Sequence, residues 1–425
     1  MNATTIKTQP TVSVPAILAF DVSKELLNLT TSIAGRMTDH EFANRTLIIE
    51  EQLIAFKRRA HMAGHNQVLV VCEPTGCYHE TLMQTAHRLG LETAWVSGEA
   101  VSKMRAIETN DSGKTDIKDP HVIHTLASIG KTLIYRRYDE PYSLLREWNG
   151  FYDQADVATV RAKCLMASQL KVLFPDYGFK KDFLYGNSGH ALINHYGANP
   201  YRIIKSGKKR FTQVMRKRAA GIRQLTIDTL YQQAESSTRN QISPRKNEIM
   251  AYRLKQTWED YLLHNKRKKE AKQQMEELYQ EARQFDPKLP LAEKGVITTF
   301  HLARIIAETG PLSDFSSLRK LIRYAGLNLR EKQSGTYRGK TKLSKKGRSN
   351  LRKVLSQIVL PLVKRDSLFG PYYHGKKERD GMPGTKAMTA VMRKFLKLFY
   401  GWYQSGCAFD RNRVFSCKSQ HELAA

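Results

Sequence analysis

Asp21, Glu73, Asp116 and Asp119 are the residues with which this sequence could do metal chemistry. Asp21 stands near the end of the apolar run Ala16-Ile17-Leu18-Ala19-Phe20-Asp21-Val22-Ser23, and Glu73 closes Gln67-Val68-Leu69-Val70-Val71-Cys72-Glu73. Apolar runs of this length read as buried strands. A carboxylate at the end of such a strand loses hydration and needs a partner. A cation shared among several carboxylates is one. Asp116 and Asp119 follow in Lys114-Thr115-Asp116-Ile117-Lys118-Asp119. Thr115 is a good N-cap, which places both acids in the first turn of a helix, three apart on one face. Paired divalent ions, hard Mg²⁺ above all, take such oxygen ligands. Singly, each acid has a plainer explanation. Asp21 could face solvent or cap a turn, Glu73 could belong to a turn, and the aspartate pair could favour a helix N-terminus. Together and in this order they favour the metal.

The elements that must position them alternate. Strands are expected at 16–22 and 25–33 with a tight link at Ser23-Lys24, then a helix at 46–62, a strand at 67–73, a helix at 77–89 and a strand at 93–96. The acidic helix continues through Val122, Ile123, Leu126 and Ala127. Strand C-termini in an α/β sheet share one edge, where sites gather. An RNase H-like (RuvC-like) α/β domain over 16–135 would bring the acids together, after a disordered lead-in at 1–15. His121 and His124 could suggest a metal pair beside Asp119, but histidines on a helix face are more often structural.

Beyond it the expectation is helical. Residues 136–286 read as a helical linker or insertion with a coiled-coil arm. The arm is one long helix at 247–285, in which Ala271, Met275, Leu278, Ala282 and Phe285 keep a 4-3 spacing that Leu254, Trp258 and Tyr261 continue. Residues 178–245 are interrupted by the loop signals Tyr185-Gly186-Asn187-Ser188-Gly189 and Gly197-Ala198-Asn199-Pro200. A mainly helical C-terminal domain at 287–405 would contain a helix-turn-helix at 291–310, a helix at 313–324 capped by Ser313, and helices at 351–363 and 385–402. A loose tail at 406–425 completes the chain.

The charge is lopsided. Of 425 residues, 69 are Lys or Arg and 40 Asp or Glu, a net +29, yet residues 1–130 hold 12 basic and 14 acidic residues. The whole surplus lies downstream, which points to a polyanion such as nucleic acid. Basic runs at Lys208, Lys209, Arg210 and at Arg216, Lys217, Arg218 suit phosphate contacts. So do Lys332 and the acid-free stretch containing Arg338, Lys340, Lys342, Lys345, Lys346, Arg348 and Arg352. The five cysteines fit neither a zinc site nor a disulfide framework. No run of about 18 apolar residues predicts a membrane span, and no membrane partner is expected.

These motifs resemble insertion-sequence transposases of the family numbered one hundred and ten, with its eleven-eleven subgroup and the related Piv-type invertases. The family's D-E-D-D set corresponds to Asp21 in Phe-Asp-Val-Ser-Lys, Glu73 in Glu-Pro-Thr-Gly-Cys-Tyr, and Asp116 and Asp119 in Lys-Thr-Asp-Ile-Lys-Asp. Its nucleophilic serine, in a Ser-Gly-x-x-Arg-Gly context, corresponds to Ser334 in Ser334-Gly335-Thr336-Tyr337-Arg338-Gly339. The likeness covers residues 16–175 and 290–400. There are departures: Gly295-Val296-Ile297-Thr298 keeps one glycine of the usual hairpin, Pro120 follows the last aspartate, and residues 178–245 are longer than usual. The resemblance implies a Mg²⁺-dependent DNA recombinase with two metal ions on the four acids. Ser334 would attack the phosphodiester, and serine and acids would form one composite site. It also implies double-stranded DNA partners (element ends and target), a structured guide RNA encoded by the element, a homo-oligomer (dimer or tetramer) and a cytoplasmic, nucleoid-associated life in a bacterium or archaeon. Two rivals are a RuvC-like nuclease using water and a catalytically silent nucleic-acid-binding derivative.

Overall fold

The computed structural model describes residues 15–33, 35–74, 76–109, 118–239, 243–331, 333–334, 337–339 and 341–415. The lead-in before residue 15, Asp116, Lys332, Lys340 and the tail beyond 415 lie outside them. The chain divides into two compact units, Met1–Arg137 and Tyr138–Ala425.

The first unit is built on a six-stranded sheet. Its elements are β1 (Ala16–Val22), β2 (Leu26–Ile33), β3 (Arg36–Ala43), α1 (Thr46–Met62), β4 (Val68–Cys72), α2 (Glu80–Arg88), β5 (Glu92–Trp95), α3 (Gly98–Thr109), α4 (Lys118–Ser128) and β6 (Leu133–Ile134). The sheet order is β3-β2-β1-β4-β5-β6. β4 lies parallel to β1 and to β5, whereas β2 runs antiparallel to β1 and β3. This is the expected RNase H-like arrangement, with additions. Sequence pattern does not predict β3, because Arg-Met-Thr-Asp-His-Glu-Phe-Ala has no apolar run. It is a polar edge strand, of the kind that resists pairing with other chains. α3 is a second addition. The Ser23-Lys24 link is tight, with the Ser23 hydroxyl donating to Leu26 O and accepting from Leu26 N.

Two apolar layers sandwich the sheet, as alternation along its strands requires. Leu18, Phe20, Val70 and Cys72 pack with Leu53, Phe56 and Leu82 of α1 and α2. Ile17, Ala19 and Val71 pack with Val101, Val122 and Ile123 of α3 and α4 on the other face.

The second unit hangs on two long helices, α5 (Glu140–Leu173) and α11 (Pro244–Phe285). They run antiparallel. Tyr142 of α5 shares a core with Ala282, Asp156 bonds Lys268 at 2.6 Å, and the Lys163 ammonium lies 5.5 Å from the ring centre of Tyr261. The seam of the expected coiled-coil arm is therefore filled by α5 of the same chain. Leu254, Trp258, Tyr261, Ala271, Met275, Leu278 and Ala282 are all buried, while Phe285 is exposed.

At one end of this hairpin sits a lobe of α6 (Lys181–Tyr185), α7 (Asn187–Tyr196), α8 (Pro200–Ser206), α9 (Lys208–Arg218) and α10 (Gln224–Thr238). Glycines that read as loop signals here punctuate helices. Gly186 precedes α7, and Gly197 ends it at φ +63°. Asn199 then caps α8, accepting from Tyr201 N.

The other end carries α12 (Thr299–Thr309), α13 (Leu318–Tyr324), β7 (Leu329–Arg330), β8 (Gln333–Ser334), β9 (Tyr337–Arg338), β10 (Lys342–Leu343), α14 (Ser349–Leu362), α15 (Gly370–Glu378) and α16 (Gly384–Ser405). The first helix expected in 291–310 is instead a turn closed by a Glu293–Ile297 bridge. α13 starts at Leu318, capped by Ser317 rather than Ser313, because residues 312–314 form a separate 3-10 turn. The start of the tail is not loose: Val414 is buried in this core and Arg411 donates to Lys294 O.

Candidate active site

Asp21 and Glu73 come together through strand register. Phe20 and Cys72 are paired neighbours on parallel β1 and β4, so the next residue on each strand is an acid. By alternation both acids share the face of Ile17, Ala19 and Val71, beneath α3 and α4. Both are half-buried. The carboxylate of Glu73 lies against the start of α3. A Cβ placed on Gly98 would stand 2.5 Å from Glu73 Oε1, so only glycine admits the carboxylate to this helix N-terminus, whose partial positive charge favours it. Cys72 is no nucleophile: burial, then Glu80 and Glu73, push its thiol up to about 12.

α4 brings Asp119 to the same end. His124 Nε2 lies 2.8 Å from Ser32 Oγ, and Ser32 pairs with Ile17. One turn earlier, His121 Nε2 lies 3.1 Å from Asp39 Oδ2, in the row of Thr30 and Ala19. The helix thus runs against β1, and its first turn reaches the row of Asp21. The two histidines fasten α4 to the sheet edge. Burial tends to raise the Asp39 carboxyl, but hydrogen bonds from Thr30 and His121 and the nearby imidazoles outweigh it and hold it low.

Asp119 is buried and held by Arg105 of α3, whose Nη2 and Nε lie 2.5 and 2.8 Å from Oδ1. Among the described residues no group of three or more His, Cys, Asp or Glu side chains is close enough to hold a metal ion. Asp116 lies outside them. The donor chemistry nonetheless suits a hard divalent ion: Asp21, Glu73 and Asp119 offer only carboxylate oxygens, and at Asp119 a guanidinium supplies the cation. Arg105 and Gly98 gave no signal in the sequence, since neither stands in a motif.

Ser334 occupies a different setting. Gln333 pairs with Arg338 and Ser334 with Tyr337. Behind it Arg330 pairs with Lys342 and Leu329 with Leu343. The nested pairs make a narrow two-stranded arm with exposed Ser334 at its last pair. Its base is clamped. Ser344 N donates to Asn328 O and Lys345 N to Gly326 O, and a Cβ on Gly347 would meet Tyr324 O at 2.4 Å.

The basic residues sort into two kinds. Lys342, Lys345 and Lys346 are exposed along the arm, as are Lys208, Lys209, Arg210, Arg216, Lys217 and Arg218 on α9. Lys208 pairs with Asp228 and Arg216 with Gln224. Arg348 instead donates to buried Glu308 at 2.7 Å, and Arg352 donates to Ala325 O and Gly347 O. Those two are braces within the fold. Arg338 is placed only as a strand residue.

Two family models match the chain. One, described as Transposase IS116/IS110/IS902 family, covers residues 295–374, from before α12 to α15 and including the Ser334 arm. The other, the DEDD transposase domain of IS110 elements, covers residues 21–175, from Asp21 to just past α5. The chain belongs to the IS110 family of transposases. No curated protein matches the sequence. As an IS110-family transposase it is a DNA-cutting and DNA-rejoining enzyme, and its DEDD domain suggests use of a divalent metal. No helix among the described residues is long and apolar enough to cross a membrane.

Proposed function

We propose that this transposase cuts and rejoins DNA through a serine-phosphodiester intermediate, with Ser334 as the nucleophile and Asp21, Glu73, Asp116 and Asp119 as the ligands of two Mg²⁺ ions. The observation that supports the reading is that Asp21 and Glu73 follow paired residues of adjacent strands, at the sheet end toward which α4 carries Asp119, in a chain that also matches the family's C-terminal model. Bound Mg²⁺ would polarise the scissile phosphate and stabilise the leaving oxygen. Asp21 and Glu73 would offer their carboxylates from the ends of β1 and β4, Asp119 from the first turn of α4, and Asp116 is assigned to the same set from its place in the motif. Ser334 Oγ forms a bond to phosphorus as the P–O bond of the strand breaks, and the serine proton passes through solvent to the departing DNA oxygen, which leaves as a hydroxyl. A DNA hydroxyl later displaces Ser334. One ester replaces another at each step, so rejoining needs no external energy source.

A free serine hydroxyl is a weak nucleophile. Lys332, Arg338, Lys340 and Lys342 flank Ser334 in sequence and supply the positive field that favours the alkoxide and steadies the phosphorane. Lys345, Lys346 and the α9 cations contact backbone phosphates of duplex DNA. The large basic surplus also suits an element-encoded guide RNA, with pairing reading sequence and protein reading shape. Recombination between two duplexes calls for a dimer or tetramer.

The test is a denaturing gel of full-length protein incubated with element-end DNA and Mg²⁺. A covalent protein–DNA adduct that disappears in Ser334→Ala, with metal binding unchanged, is the expected result. Undiminished cleavage by Ser334→Ala would overturn it and leave water as the nucleophile.

A further inference from the structure

A cavity of about 400 Å³ opens where the C-terminal part of α5 meets α6, and none of the chemistry above uses it. Its walls include Phe174, Tyr177, Phe179 and Tyr185, with Lys163, Lys171 and Asp182 as the charged members. The rings are already arranged as a platform. Phe179 stacks on Phe183 at 4.5 Å between centroids, Tyr177 leans on Phe179 at 5.7 Å, and Tyr185 packs on Tyr261 at 4.8 Å. The Lys163 ammonium lies 4.5 Å from the centre of the Tyr185 ring, within the range of a cation–π contact. The Tyr177 hydroxyl is sealed from solvent with no hydrogen-bond partner among the described residues.

An aromatic cluster that served only as core would be closed. This one borders an open cavity lined also by one carboxylate and two lysines. A saturated apolar ligand would leave these charges idle. A flat heterocycle with polar edges uses them: rings for its faces, Asp182 to accept from an amino group, and Lys163 and Lys171 beside an attached phosphate. The lobe around it is basic, with twelve Lys or Arg against four Asp or Glu over residues 174–243. Its α9 cations are exposed. A polyanion that carries flat heterocycles is nucleic acid, and a base can enter such a cavity only when unpaired.

We propose that this cavity holds an unpaired, amino-bearing nucleobase of a single-stranded segment. The proposal rests on the nucleic-acid reading above, and adds a site on the inserted lobe away from Ser334. Full-length protein is titrated with a short fluorescent single strand of mixed sequence, with the same strand bearing abasic positions, and with duplex DNA. Stacking on aromatic side chains predicts about five- to 150-fold weaker binding of the abasic strand. Cys164 is exposed on α5 and lines the cavity, so Cys164→Trp fills it from a position that tolerates bulk. Asp182→Ala removes the acceptor without adding volume. Both variants should bind the intact strand nearly as weakly as the abasic one, with unchanged duplex affinity and helix content. Equal binding of intact and abasic strands, or full affinity in both variants, overturns the cavity proposal alone. Failure of the wild type to bind any nucleic acid overturns it together with the proposed function.

Discussion

Arg105 and Asp119 form a buried ion pair at the end of the sheet where Asp21 and Glu73 emerge. A carboxylate buried there needs a countercharge, and the guanidinium does for it what a metal ion would. Removing Arg105 leaves an uncompensated carboxylate, a change that costs about 3–5 kcal/mol in buried pairs. Arg105→Ala should therefore melt lower than wild type in chelator. Added Mg²⁺ should raise its melting temperature more than it raises that of wild type, because ion binding now also relieves the stranded charge. Thermal melts of both proteins with and without Mg²⁺ check this, and equal metal-induced shifts would count against a shared position.

Gly98 bears on the same site through space rather than charge. Gly98→Ala puts a methyl where Glu73 Oε1 now lies, and the carboxylate, being the end of a flexible side chain, must move. The fold should survive within about 1 kcal/mol, since alanine is the better helix former. On the proposed metal site, strand cleavage should fall by about 100-fold, as displacing a catalytic group by about 1 Å does. A melt paired with a cleavage assay separates the two effects.

The arm's cations should act differently from its braces. Lys342 and Lys345 are exposed. Replacing both with alanine should flatten the dependence of log K on log salt by about 1.8, at about 0.9 for each phosphate that is no longer neutralised. Stability should hardly change. Arg348→Ala should do the reverse, destabilising the fold by about 2 kcal/mol or more by stripping buried Glu308 of a charged donor. Salt-titrated DNA binding and urea unfolding of the two variants distinguish the roles.

Acid should weaken the C-terminal domain through His301. Burial, then the charges of Arg304 and Lys272, hold its imidazole below the ordinary value of 6.5. The unfolded chain therefore takes up the proton first. The stabilising contribution is complete above about pH 6.5 and is lost as pH falls from there through the folded-state value. Melting temperature should drop between pH 7.5 and 5.5, and less steeply in His301→Gln. Identical pH slopes would assign the acid sensitivity elsewhere.

How much of this was legible in the sequence follows from how local each signal is. β1 and β4 announce themselves because burial on both faces makes them continuous apolar runs, and their terminal acids are visible for the same reason. β3 is hidden because an edge strand needs no apolar run, only the backbone of β2 beside it. The short helices of the lobe are hidden by glycines with tertiary reasons. Gly189 sits inside α7, where any Cβ would strike the backbone of Leu184, and no pattern within the segment reveals that approach. Arg348 and Arg352 look like their neighbours Lys345 and Lys346 in a basic run. Only Glu308, forty residues upstream of Arg348, and the carbonyls of Ala325 and Gly347 tell a brace from an exposed cation. Arg105 and Gly98 matter through neighbours brought by folding.

The antiparallel course of α5 and α11 has an evolutionary corollary. Leu173 ends one and Pro244 begins the other of two antiparallel rods that pack on each other along most of their length. A few residues of turn could join them and bypass everything between. Descent could thus graft the five small helices onto this tip, or prune them, while the serine-bearing arm at the opposite end kept its foundations.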